Sequence, residues 1–339
     1  MFVTRRIPEA GLEMLRHEDV DVGVGQEDDE AGLDRESLLR GARSARVLVS
    51  LLTESIDREV LEAGSRLRGV ANYAVGYDNV DVETATELGI PVSNTPGVLT
   101  DTTADLAWAL LMASARRVVE ADRYVRSGRF GIWGPNLLLG ADVSPGGSGR
   151  RKVLGIVGFG RIGRAMARRA SGFDMEVVAA DPRHRNRVEE AGYTWVELEE
   201  LLERSDFVSL HVPLTGETRH LVDEDAFRRM KSTAHLVNVA RGPVVDETAL
   251  VRALREEWIA GAGLDVFEDE PELTPGLSEL PNVVLAPHIG SGSRDTRGKM
   301  ARIAATNALQ HIRGEEAANT VNPEVYETAA WRRRRGSTG

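Results

Sequence analysis

The stretch Lys152-Val-Leu-Gly-Ile-Val-Gly158-Phe-Gly160-Arg161-Ile162-Gly163, followed by a helical run and then Met175-Glu-Val-Val-Ala-Ala-Asp181, decides the fold. Val153 to Val157 is short, apolar and rich in β-branched residues, which suits a strand buried on both faces. Gly158, Gly160 and Gly163 follow with G-x-G-x-x-G spacing, Arg164 to Ser171 has helical character, and Met175 to Ala180 reads as a second buried strand ending in an acid. Three glycines at this spacing are weak evidence alone. Set in a strand–turn–helix–strand unit, with an acid about 20 residues on, they meet the requirements of a dinucleotide site. Gly158 permits the tight turn, Gly160 lets a pyrophosphate approach the backbone, and Gly163 lets the helix pack closely on the sheet. The free N–H groups and positive dipole end of that helix then meet the phosphates, and Asp181 can accept a hydrogen bond from a ribose 2′-hydroxyl. A turn whose glycines served packing alone would not need the acid.

The flanking sequence continues the alternation of strand and helix that marks a parallel α/β protein. Upstream, strands are expected at Phe2–Thr4, Arg46–Leu52, Leu67–Tyr73 and Ile90–Ser93, with helices at Pro8–Leu15, Asp57–Ala63 and Asp81–Leu88. One long helix is expected from roughly Thr102 to Ser127. Its run Leu106-Ala-Trp-Ala-Leu-Leu-Met112 is too continuously apolar for a surface helix. Asp142 to Lys152 is rich in Gly and Ser and reads as a surface loop. Downstream, strands are expected at Phe207–His211, His235–Val239, Ala262–Val266 and Val283–Ala286, and a last long helix at Ser293–Ile312.

Composition narrows the function. The chain has 339 residues, enough for two domains. Asp and Glu number 53 against 42 Lys and Arg, a net charge of −11 that argues against broad nucleic-acid binding. With no cysteine, disulfides, thiol catalysis and cysteine metal sites are excluded, and no metal site is expected. No apolar run approaches the ~18 residues of a membrane span, and the first residues lack the apolar core of a signal peptide. A cytoplasmic protein without membrane or nucleic-acid partners is expected.

Three strand ends downstream of the glycine turn carry reactive side chains: Arg241 in Asn238-Val-Ala-Arg-Gly242, Asp265 and Glu270 in Leu264-Asp-Val-Phe-Glu-Asp-Glu-Pro271, and His288 in Ala286-Pro-His-Ile-Gly290. Ligands of open α/β sheets bind at the carboxyl ends of the strands, so all three can converge beside the dinucleotide. Each alone has an ordinary reading, as a surface ion pair, a turn acid and a loop histidine. Together they form a hydride-transfer set. Reducing a 2-keto acid needs an imidazolium to protonate the developing alkoxide, a carboxylate to orient that ring and favour its charged form, and a fork to hold the substrate carboxylate and carbonyl. His288, Glu270 and Arg241 supply them, and the nicotinamide supplies the hydride.

These stretches, with Leu51-Leu-Thr53, Ala74-Val-Gly-Tyr-Asp-Asn-Val-Asp81, Asn94-Thr-Pro-Gly-Val-Leu-Thr-Asp101 and His211-Val-Pro-Leu-Thr215, resemble the D-isomer-specific 2-hydroxy acid dehydrogenases, within them the glyoxylate/hydroxypyruvate reductase branch. The resemblance runs from Phe2 to about Tyr326. It implies two Rossmann/flavodoxin-like parallel-sheet domains, an NAD(P)-binding domain (100–289) inserted into a substrate-binding lid domain (1–99 with 290–325); beyond it the chain, ending Trp331-Arg-Arg-Arg-Arg-Gly-Ser-Thr-Gly339, reads as a disordered tail (326–339). It implies a catalytic triad of Arg241, Glu270 and His288. The backbone N–H groups of Val75 and Gly76 would take the substrate carboxylate, and Leu51 would line the pocket. Arg161 and Ile162 would sit on the pyrophosphate, Val212, Pro213 and Thr218 on the adenosine side, and Ala240 and Asp265 at the nicotinamide ribose or carboxamide. It also implies a homodimer through the nucleotide domain and the long helix, with Trp133 either reaching the partner's site or packing in the interface.

Two departures bear on function. The Ser144–Arg151 loop is longer and more Gly-rich than the usual turn. At Asp181-Pro-Arg183-His-Arg185, the acid opposes a 2′-phosphate, which predicts a preference for NAD(H), while Arg183 and Arg185 keep NADP(H) use open. Other readings on the same fold are a phosphoglycerate dehydrogenase, usually longer by a C-terminal regulatory domain, a phosphite dehydrogenase, and a non-catalytic NAD-sensing corepressor. A formate dehydrogenase would carry an amide in place of Glu270.

Overall fold

The computed structural model describes residues 1–28 and 30–336. The chain divides into two compact units, Met1–Val98 with Gly292–Gly339, and Leu99–Ser291, so the second is inserted into the first.

The first unit carries a five-stranded parallel sheet of β1 (Phe2–Val3), β2 (Gly23–Val24), β3 (Val47–Ser50), β4 (Gly69–Asn72) and β5 (Val92–Ser93), in the order β2-β1-β3-β4-β5. This is the flavodoxin-like order, with its switch point where β1 meets β3. β3 and β4 are buried throughout, as expected of strands covered on both faces. Asp34, Asp57 and Asp81 each cap a helix by accepting the N–H three residues on, and Ser293 does the same for the long helix Arg294–Arg313.

The second unit carries β6 (Val153–Val157), β7 (Glu176–Ala180), β8 (Thr194–Trp195), β9 (Phe207–Leu210), β10 (His235–Asn238), β11 (Gly261–Leu264) and β12 (Val283–Leu285), all parallel, in the order β12-β11-β10-β9-β6-β7-β8. The order reverses at β6 and β9, which opens a crevice beyond their carboxyl ends. The two-sheet α/β architecture expected from the sequence is therefore present. The two-residue strands β2 and β8 are additions to it.

Two expectations are corrected. The helix expected over 102–127 is two, Thr100–Ala115 and Val118–Arg126, separated by Arg117 at φ 52°. The cause is tertiary. Ala141 donates its N–H to Ala115 O at 2.8 Å, taking the carbonyl a continuing helix would use, and Gly140 lies so close that a Cβ there would be 2.3 Å from that oxygen. The tail is not wholly disordered. Pro323–Glu327 forms a 3₁₀ turn and Ala329–Gly336 a helix, while 337–339 lie outside the described residues. Arg334 donates to the carbonyls of Leu88, Ser65 and Leu67 at 2.6–3.1 Å, and Tyr326 meets Trp331 edge-on. These carbonyls lie at and just beyond helix ends, where a guanidinium is a favourable partner.

Candidate active site

The glycine turn has the form its spacing requires. Gly158 sits at φ +90°, where a side chain would be strained, and a Cβ there would approach His211 O to 2.7 Å. A Cβ at Gly163 would lie 2.1 Å from Gly158 O, which shows how closely the helix Arg161–Ala170 begins against the turn. At Gly160 a Cβ would meet no atom within 4 Å, so the space beside the turn is open. Gly160 caps the helix without a side chain, leaving the first N–H groups, including those of Arg161 and Ile162, without a side-chain cap. This is the arrangement a pyrophosphate fits.

Asp181 follows β7 and is turned back on the glycine loop. Its Oδ2 accepts from Phe159 N–H at 2.8 Å and from His184 Nδ1 at 2.9 Å, and its Oδ1 accepts from Arg183 N–H at 3.0 Å. Burial alone would raise this carboxyl, but these donors hold it below its ordinary value. Arg185 lies over the Trp195 ring at 4.4 Å and pairs with Glu189, and exposed Arg183 stands 3.5 Å from Glu217. Val212 and Pro213 follow β9 across the crevice, with Val212 Cγ1 beside Gly158. Thr218 Oγ1 ties this turn by donating to Pro213 O at 2.6 Å and accepting from Thr215 N–H. His211 lies half-buried between these turns, and desolvation pushes its imidazole down to about 3, so it is neutral.

β10, β11 and β12 place the reactive groups. Arg241 follows β10, its Nη1 donating to Ala240 O, while the Asn238 side chain accepts from Ala240 N–H and donates to Arg241 O. Glu270 follows β11. Its Oε1 accepts from Phe267 N–H at 2.9 Å and its Oε2 from His288 Nδ1 at 2.8 Å. Burial pushes the Glu270 carboxyl up, but His288, the Phe267 N–H and the Arg241 charge outweigh it and hold it below its ordinary value. His288 follows β12 at φ 51°, an uncommon region for a residue with a side chain. The structure over-determines this conformation. Asp265 O accepts from His288 N–H, and the Asp265 carboxylate accepts from Ile289 and Gly290 N–H, each at 2.7 Å. The sequence assigned Asp265 to the nicotinamide end, yet at 1 % exposure its visible work is to hold the turn carrying His288. With Nδ1 engaged by Glu270, His288 Nε2 has no partner among the described residues.

A residue that sequence reading missed is Glu247. Buried in the first turn of the helix Glu247–Arg255, it accepts from Glu268 N–H at 2.8 Å and from Thr274 Oγ1 at 2.7 Å, clamping both ends of the loop that carries Glu270. Nothing local marks it, because a Glu after an Asp cap normally faces solvent.

In the other unit, Leu51 follows β3, its N–H donating to the buried Glu54 carboxylate at 2.7 Å. Val75 and Gly76 follow β4, half-buried, and among the described residues their N–H groups have no partner.

Comparison with known proteins bears on this arrangement. A family model for the D-isomer specific 2-hydroxyacid dehydrogenase NAD binding domain matches residues 108–290. A glyoxylate reductase of Korarchaeum cryptofilum is 56% identical over 332 residues, covering 96% of this chain and 97% of its own. A crystal structure of a Thermus thermophilus protein, 44% identical, superposes with a TM-score of 0.86 over 94% of this chain and 99% of that one. An NADPH-dependent glyoxylate/hydroxypyruvate reductase from Sinorhizobium meliloti, solved with NADP and malonate, is 33% identical with a TM-score of 0.80, covering 95% and 96%. Two parallel sheets, a glycine turn open at Gly160, a histidine–carboxylate couple beyond neighbouring strand ends and relatives matched over nearly their full length all agree: the chain belongs to the D-isomer specific 2-hydroxyacid dehydrogenase family, as an NAD(P)-dependent oxidoreductase.

Proposed function

We propose that this chain reduces a small 2-keto acid, glyoxylate or hydroxypyruvate, to its 2-hydroxy acid, the D isomer where the new carbon is a stereocentre. The observation that carries this is the Glu270–His288 couple, which leaves His288 Nε2 unpartnered at a strand end in the unit that holds the open glycine turn. The relatives named as glyoxylate reductases support the substrate class. Nicotinamide, when bound, supplies the hydride. His288 Nε2–H then gives its proton to the carbonyl oxygen, while Glu270 keeps Nδ1 and stabilises the imidazolium. Arg241 presents a fork to the substrate carboxylate and carbonyl. In the other unit, the free N–H groups of Val75 and Gly76 suit a carboxylate, with Leu51 beside them. Gly158, Gly160, Arg161, Ile162 and Gly163 serve the pyrophosphate; Val212, Pro213 and Thr218 the adenosine side; Ala240 and Asp265 the nicotinamide end. Steady-state kinetics with glyoxylate, hydroxypyruvate, pyruvate and phosphite tests the assignment. Turnover of phosphite alone, or of none of them, ends it.

Asp181 sets the cofactor choice in this reading. Its carboxylate is fixed beside the turn and ionised, so a 2′-phosphate meets a like charge, whereas a ribose hydroxyl meets an acceptor. Like charges about 4 Å apart near a protein surface cost ~1–4 kcal/mol, so kcat/KM with NADH should exceed that with NADPH by roughly 10-fold or more. The engagement of Arg185 with Trp195 and Glu189 supports the same preference. Equal or higher kcat/KM with NADPH would refute it.

We also infer a homodimer through the Leu99–Ser291 unit. The helix Val118–Arg126 has no buried residue, and Val118, Val125, Phe130, Ile132, Trp133 and Leu139 are 51–83% exposed within one short stretch. Exposed apolar surface this dense marks a protein interface. Light scattering should give twice the chain mass, and Ile132→Asp with Trp133→Asp should give a monomer. A wild-type monomer would sink the inference.

A further inference from the structure

Three successive carbonyls after β4 are tied down on one side. Ala74 O accepts from Thr95 N–H at 2.9 Å, Val75 O from Asn94 Nδ2 at 2.7 Å, and Gly76 O from Asn72 Nδ2 at 2.9 Å. These peptides are trans, so in each the N–H points opposite to its carbonyl. Holding the three carbonyls therefore aims the N–H groups of Val75, Gly76 and Tyr77 the other way, and among the described residues none of the three has a partner. Nothing in Ala74-Val-Gly-Tyr77 itself fixes this. Gly76 leaves the backbone free to turn, and a peptide rotated by half a turn would present a carbonyl oxygen in place of an N–H.

The two asparagines are themselves immobilised. Asn72 is fully buried, and its Oδ1 accepts from Ser50 Oγ at 3.1 Å, which leaves its NH₂ for Gly76 O. Asn94 donates its backbone N–H to Asn319 O at 3.1 Å and accepts at its own carbonyl from Asn307 Nδ2 at 3.0 Å. Asn307 lies 1 % exposed on the helix Arg294–Arg313. A carbonyl can only accept, so the atom each asparagine turns toward it must be its NH₂.

We propose that Asn94 and Asn72 are positioning residues that hold the 74–77 peptides with their N–H groups outward, and so build the grip on the substrate carboxylate. This rests on the reading of Val75 and Gly76 as that grip. Neither asparagine touches substrate; each acts through a backbone amide, and the gain is a donor row fixed before the anion arrives.

The test compares Asn94→Ala and the milder Asn94→Ser with wild type, using glyoxylate and glycolaldehyde, which replaces the carboxylate by a hydroxymethyl group. A hydrogen bond to a charged group contributes ~1.5–3 kcal/mol, so KM for glyoxylate should rise roughly 10- to 100-fold in Asn94→Ala with kcat changed little. The kcat/KM for glycolaldehyde, measured with excess enzyme, and the Kd for NADH by fluorescence should stay within about twofold. Asn72→Ala should show the same split. Unchanged KM for glyoxylate in variants that melt like wild type would overturn the proposal. So would equal loss with both substrates, which would make the asparagine merely structural. A wild-type enzyme that reduces no 2-keto acid would overturn the functional reading first, and is told apart because it needs no variant.

Discussion

Replacing His288 with alanine lowers kcat for keto-acid reduction by roughly 10²–10⁴, the range that general acid catalysis contributes, while the Kd for NADH stays near wild type. Glu270 Oε2 holds Nδ1 at 2.8 Å, so the ring can deliver a proton only from Nε2, and the positive φ of His288 is kept by three amide contacts to Asp265 that survive the truncation. The loss should therefore fall on the chemical step and not on the fold. Glu270→Gln gives the companion result. An amide can still meet Nδ1 but no longer offers a charge that favours the imidazolium. Since reduction requires the protonated ring, the alkaline limb of kcat/KM should move to lower pH. Glu270 titrates below its ordinary value in the folded chain, so its stabilising pair with His288 is complete above the ordinary carboxylate range and is lost as pH falls through that lowered value. Full activity in His288→Ala, or an unmoved alkaline limb in Glu270→Gln, would remove the couple from the mechanism.

How much of this was legible follows from how local each signal is. The glycine turn, β6 and β7 were readable because strand burial, turn geometry and helix entry are all written within about 30 residues, the span of a βαβ unit. The placement of Arg241, Glu270 and His288 beyond the ends of β10, β11 and β12 was readable because each follows an apolar strand run, and parallel strands deliver their ends to one edge of the sheet. Their partners were not. Glu247 is 1 % exposed because it faces Glu268 and Thr274, a contact no spacing in Val245-Asp-Glu-Thr announces. Asn94 looks like a turn residue until Val75 O is found beside it. The break at Arg117 has neither Gly nor Pro to mark it, because Ala141, far along the chain, takes the carbonyl of Ala115. The tail read as disordered because the Leu88 carbonyl that receives Arg334 lies 246 residues away. Periodicity reports which face of an element is buried; it does not report which polar group waits there.

Among the described glycines, Gly242→Ala should be the most damaging substitution. A Cβ at this position would lie 1.8 Å from Phe267 O, 1.9 Å from Phe267 C and 2.4 Å from Glu268 N. All three are backbone atoms, so no side chain can swing aside, and either Gly242 or the 267–268 segment must move. Both are tethered. Gly242 adjoins Arg241 and opens the 3₁₀ turn Gly242–Val244, while Glu268 N–H is held by Glu247 and Phe267 N–H by Glu270. Overpacking a filled interior costs ~1–3 kcal/mol when side chains can adjust, and more is expected here because they cannot. For a chain of this size that corresponds to a fall in Tm of several degrees. The activity loss should be larger than stability alone explains. Moving Phe267 displaces the N–H that fixes Glu270 Oε1, hence the carboxylate that orients His288, on the same side of the sheet where Arg241 emerges. A misplacement of about 1 Å at reacting groups can cost 10²-fold, so kcat should fall by roughly that factor at temperatures where the variant is fully folded. The control is Gly160→Ala, where a Cβ meets no atom within 4 Å of the protein: the fold should be untouched, and the loss should appear in the Kd for NADH. A Gly242→Ala enzyme with wild-type kcat would mean that the Phe267–Glu270 segment does not hold the catalytic carboxylate.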